Sequence, residues 1–164
     1  MRRRAVPVIG GRGIDRRHIG ARRGDTLLDV DPDERPSTRL VEQRIRNRII
    51  EYLELAASFE AQREYDRDRI AYVPHEVIEQ WADWNPVDQS RWPGRLSEPY
   101  SPEEVEAMNG FHAEWEWVIE HTPNPLPELT ELQQLPAWER LRDAARLTLL
   151  VFQVRGRLPE DEEV

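Results

Sequence analysis

"LTLLVFQV", residues 147–154, is the stretch on which the fold class turns. Read alone, a short apolar run of this kind suits a buried strand as well as a buried helix, and periodicity within it does not separate the two. The residues upstream decide. Trp138, Leu141, Ala145, Leu149 and Phe152 recur at steps of three and four, Pro136 suits a first helical turn, and Gly156 stands where a C′ residue belongs. The spacing predicts a helix from Pro136 to about Arg155. After Leu147 apolar residues occupy almost the whole circumference, which is the pattern of a helix in the middle of a bundle.

The remaining segments read the same way. From Thr38 the positions Val41, Ile45, Ile49, Tyr52, Ala56 and Phe59 form a helical seam, predicting one long helix over 38–65. "VPHEVIEQWADWNP", residues 73–86, predicts a short helix with Val77, Ile78, Trp81 and Trp84 turned inward and Glu76, Glu79 and Asp83 turned to solvent. Ser101, Pro102 and Glu104 make a capping box that opens a helix from 102 to about 121, with Val105, Met108, Phe111, Trp115, Val118 and Ile119 as its stripe. Prolines 123, 125, 127 and 136 bracket a short helix near 127–134. The expected fold is all-α: about four main helices in a bundle, joined by long proline-rich loops such as residues 85–100.

Charge divides the chain. The net charge of -9 at pH 7 combines a basic start, with eight arginines and one acid in residues 1–24, and a body over 37–164 with 26 acids and 14 arginines. Residues 1–36, rich in arginine and glycine, read as a disordered tail; residues 37–158 as an acidic helical domain; residues 159–164 as an acidic frayed end. The apolar stretch Ala5 to Ile9 is too short for a signal peptide, and cysteine is absent, so a reducing, cytoplasmic setting is expected. An acidic body repels phosphate backbones and anionic membranes and favours a protein partner with a basic surface. Only the tail suits nucleic acid.

No motif of established chemistry appears. Gly11, Gly13 and Gly20 lack the dinucleotide spacing, no phosphate loop or nucleophile elbow is present, and "HEVIE" lacks the second histidine of a zincin. No catalytic residue and no cofactor is implied. The candidate partner-binding residues are Trp117, Glu103, Glu106 and Glu120, with Trp92 in the loop and Glu76, Glu79 and Asp83 on the short helix. Trp117 is singled out because it lies opposite the apolar stripe among carboxylates, where it is either covered by its own domain or free to anchor a cation. His112 sits at the stripe's margin, as core histidines do. A metal alternative draws on His75, Glu79, His112, Glu116 and His121, since pairs four apart on a helix share one face.

Three stretches, "RIRNRIIEYLELAASFEAQREY" (44–65), "VPHEVIEQWADW" (73–84) and "PAWERLRDAARLTLLVFQVRGRL" (136–158), resemble small uncharacterised helical proteins of proteobacteria and related bacteria. The resemblance covers residues 40–158. It implies a helical fold and a bacterial source, and attaches no activity to any residue. The function expected is therefore a non-enzymatic protein-binding domain, of the immunity or antitoxin kind that occludes a basic partner. A small metal-dependent helical enzyme is the alternative, and a nucleic-acid-associated protein acting through the tail is the third reading.

Overall fold

The computed structural model describes residues 36–68, 71–87 and 98–164. The basic tail through Arg35 and Trp92 lie outside the described residues. Six helices and no strand occur among them: α1 (Thr38–Ala56), α2 (Phe59–Arg67), α3 (Val73–Trp84), α4 (Pro102–His121), α5 (Leu129–Leu132) and α6 (Pro136–Gln153). "LTLLVFQV" is thus helical through Gln153, and Gly156 adopts φ 66° just beyond, the left-handed turn that glycine makes without a Cβ penalty.

The core runs through α1, α3, α4 and α6. Ile49, Tyr52 and Leu53 of α1, Val77 and Trp81 of α3, Met108, Phe111 and Val118 of α4, and Trp138, Leu141, Ala145 and Phe152 of α6 are all buried. Trp81 meets the Phe111 ring edge-on at 4.6 Å and stacks near Tyr52 at 5.6 Å. These are the geometries that ring quadrupoles favour. The Tyr52 hydroxyl donates to the Val77 carbonyl at 3.0 Å, and burial pushes its phenol above the ordinary tyrosine range, so it stays a neutral donor.

Four expectations are corrected. The helix anticipated over 38–65 breaks at Ala57 and Ser58, because the Ser58 hydroxyl accepts from the Ala61 amide at 3.1 Å and restarts the chain as α2. Buried Gln62 secures the break by donating toward the Leu55 and Ala56 carbonyls, both at 3.3 Å. Trp84 is not an inward residue but a half-exposed one, and Ile78 is only partly buried.

The C-terminal segment does not fray. Asn47 exchanges two hydrogen bonds with the Leu158 backbone, at 2.8 and 3.0 Å. Gln43 donates to the Pro159 and Glu162 carbonyls and accepts from the Val164 amide. Arg44 adds a forked pair to the Glu160 carbonyl. Two buried amide side chains of α1 thus serve as ladder partners for an extended strap.

Finally, α6 is not wrapped on all sides. Leu147, Leu150 and Val154 are 69%, 60% and 84% exposed, so one face of this helix has no cover among the described residues.

Candidate docking site

The sequence places an apolar stripe on α4 facing an apolar stripe on α3, and the size of the residues between them sets how far apart the two helices stand. Trp81 and Trp115 hold them apart, with the Trp115 indole donating to the Ile78 carbonyl at 3.2 Å. Large side chains between helix axes widen the separation and leave a groove on the solvent side. Its lower end opens into a recess of about 440 Å³, where Ile78 and Ile119 meet the turn Pro123, Asn124, Pro125 and Leu126, with His75 and Thr122 at the edge. Tyr72 fixes that turn, its hydroxyl donating to the Pro127 carbonyl at 3.0 Å.

Exposed carboxylates stand on both helices, none of them in the lining of the recess. Glu79 lies one turn on from His75, and Glu116 one turn on from His112, and their side chains are 72% and 63% exposed. Asp83 and Glu120 continue the two rows at the next turn, both exposed. The two helices therefore join an apolar recess to hydrated carboxylates elsewhere on their surfaces. That combination suits an apolar side chain on a cationic segment, because the recess contributes by burial and the surrounding negative charge by steering.

The structure sorts the expected residues into separate places. Glu79 and Asp83 are exposed on α3 and Glu120 with Glu116 on α4, and none of the four lines the recess. Glu76 accepts a hydrogen bond from Gln80 at 2.7 Å on its own helix. Glu103 and Glu106 lie at the opposite end of α4, at 1.5 Å per residue roughly 20 to 25 Å from Glu120.

Trp117 is covered by its own domain: the His121 ring stacks on it at 3.9 Å and the Arg140 guanidinium sits 4.2 Å above it. It anchors α6 to α4 and is not an open contact. Glu114 completes that clasp by pairing with Arg140, which holds its carboxyl below the usual glutamate range.

His112 is partly buried at the edge of the core. The Trp81 indole N–H donates to its Nδ1 at 3.2 Å, so the neutral ring carries its proton on Nε2, which faces Glu116 at 3.7 Å. A metal at Nε2 would have to displace that proton and cost the Trp81 bond. His75 and Glu79 form a second pair at 3.8 Å, and His121 turns its Nδ1 to the Trp117 carbonyl. No group of three or more such side chains gathers as a ligand set among the described residues.

Sequence reasoning missed the polar heart of the fold. Arg46, fully buried, donates to Glu104 at 2.5 and 3.1 Å and to the Gly156 carbonyl at 2.7 Å. Arg155 joins Glu104 at 3.2 Å. The capping-box glutamate was legible; its second task, receiving an arginine from α1, had no local signal.

Comparison of the chain with protein-family models, with curated proteins and with solved structures finds no match. No helix among the described residues is long and apolar enough to cross a membrane.

Proposed function

We propose that this chain is a non-enzymatic protein-binding domain whose acidic α3–α4 groove receives a basic segment of a protein partner. An inhibitor that occludes a cationic active-site surface, in the manner of an immunity or antitoxin protein, is the form the charge favours. The reading takes α1, α3, α4 and α6 as the four members of a bundle, within the kinship to small bacterial helical proteins expected from the sequence. One observation carries it: the recess of about 440 Å³ lined by Ile78, Ile119 and Leu126 is formed by α3 and the end of α4, the two helices that expose Glu79, Asp83, Glu116 and Glu120.

The metal-dependent alternative has no gathered ligand set behind it among the described residues, and a nucleic-acid role through the tail rests on residues outside them.

The test uses a defined probe, an amidated peptide with one leucine flanked by arginines, titrated into the full chain and followed by amide chemical shifts. Shifts confined to residues 75–83 and 115–126, weakening as salt rises and lost in Glu79→Lys/Glu116→Lys, support the reading. Scattered shifts, or equal binding of the charge-reversed variant, would sink it.

A further inference from the structure

Two N–H donors converge on one nitrogen of His112. The Trp81 indole, fully buried, donates to Nδ1 at 3.2 Å, and the Asn85 side-chain amide stands 3.2 Å from the same atom. The orientation of that amide is fixed independently: Asn85 Oδ1 accepts from the Val87 backbone N–H at 2.9 Å, which leaves Nδ2 to face the ring. An indole N–H only donates, so Nδ1 is an acceptor, and its lone pair is the one both groups share. The neutral imidazole has no other ring-nitrogen lone pair to offer, since Nε2 carries the proton.

These contacts close the end of α3 onto α4. Asn85 caps the C-terminus of α3 and is itself buried, its backbone N–H donating to the Trp81 carbonyl at 2.9 Å. Trp115, one turn further along α4, stacks on the His112 ring at 5.6 Å and reaches the middle of α3 through the Ile78 carbonyl. His112 secures the last turn of α3, and Trp115 the turn before it.

A second proton changes the ring at that one point. It binds only at Nδ1, and the imidazolium then turns an N–H toward two other N–H groups. No second acceptor stands at the Trp81 indole among the described residues, and water does not reach a side chain with no exposed surface. The closed contact and the imidazolium therefore exclude each other. Glu116 acts in the opposite sense, its carboxylate 3.7 Å from Nε2, but its side chain is 63% exposed and solvent screens the attraction. On α3, Glu76, Glu79 and Asp83 make no ion pair with the ring among the described residues. The buried donors outweigh the hydrated carboxylates.

We propose that His112 is a pH-sensitive latch. As the neutral Nε2–H imidazole it holds the end of α3 against α4, and protonation at Nδ1 releases Trp81 and Asn85. The open arrangement takes up the proton and the closed one does not, so closure holds at neutral pH and above and is lost as pH falls through the histidine range. With the ordinary histidine value of about 6.5 in the open form, the ratio of closed to open falls roughly tenfold between about pH 7.5 and 5.5.

Nuclear magnetic resonance of the full chain tests this. At about pH 8 the His112 ring is expected to show a bare Nδ1 and a protonated Nε2, and on acidification the ring and the Trp81 indole N–H move with one midpoint. His112→Asn supplies an amide oxygen near the place of Nδ1 that does not titrate. The opening constant read from hydrogen exchange of the Trp81 indole is expected to rise roughly tenfold more in wild type than in His112→Asn between about pH 7.5 and 5.5. His75 and His121 are present in both chains and cancel. A proton on Nδ1 at about pH 8 overturns the proposal. So does a ring that titrates while the Trp81 indole stays in place, an outcome the wild-type chain gives without any variant. Opening constants that change alike in the two chains, to within about twofold, overturn it too.

Discussion

At the scale of single residues, the fold depends on polar side chains that sit where apolar ones are expected. Arg46 links three elements at once: it pairs with Glu104 on α4, donates to the carbonyl of Gly156 just beyond α6, and lies 5.2 Å from the Phe152 ring. Removing Arg46 leaves the buried Glu104 carboxylate with only Arg155 and the Ser101 amide as partners, so Arg46→Ala is expected to lower unfolding stability by about 3 kcal/mol in urea denaturation. A loss below about 1 kcal/mol would mean that water replaces the guanidinium freely. Gln62 has a similar part, its carbonyl oxygen accepting from the Trp138 indole at 3.2 Å and the Gln133 amide at 3.1 Å. None of these roles is marked in the sequence, since arginine and glutamine on a helix read as solvated until their partners are placed. Glu114 adds a pH dependence with a definite sign. Its pKa is lowered from 4.5 by Arg140, so its contribution is present above about pH 4.5 and lost as pH falls through the lower folded value. Thermal melts across about pH 3 to 6 are expected to show a smaller acid loss in Glu114→Gln than in wild type.

At the scale of elements, local patterns located the helices, and side-chain hydrogen bonds decided where they stop. The seam from Val41 to Phe59 crosses Ala57 and Ser58 without interruption, which is why its period points to a single helix; the serine hydroxyl and the Gln62 amide offer the backbone a competing arrangement. Ser58→Ala removes the α2 cap and is expected to cost about 1 kcal/mol. If hydrogen exchange in residues 59–67 is unchanged, the cap is not what starts that helix. The C-terminal strap is the other case. Its acids and lack of apolar period suggest fraying, yet its backbone is held by Gln43 and Asn47 from a helix more than a hundred residues earlier. Deleting residues 158–164 uncovers those amides and is expected to lower stability by about 1 to 3 kcal/mol, with water replacing part of what is lost. An unchanged urea midpoint would show the strap to be passive.

At the scale of the whole molecule, Trp81 and Trp138 belong to one contiguous core. Unfolding followed by tryptophan fluorescence and by far-ultraviolet circular dichroism is therefore expected to give coincident transitions; separated midpoints would divide the helices into independent units. Helical period, proline and glycine placement and the capping box at Ser101 were enough to establish an all-α chain and the position of most helices, because those signals act over one or two turns. The acidic rows on α3 and α4 were also visible, as residues on one face of each helix. That α3 and α4 share an apolar recess, that Trp117 is closed by Arg140, that Arg46 and Glu104 meet, and that Leu147 has no cover among the described residues were decided only when the helices packed. Each depends on which residues distant in sequence become neighbours, and a periodicity carries no term for that.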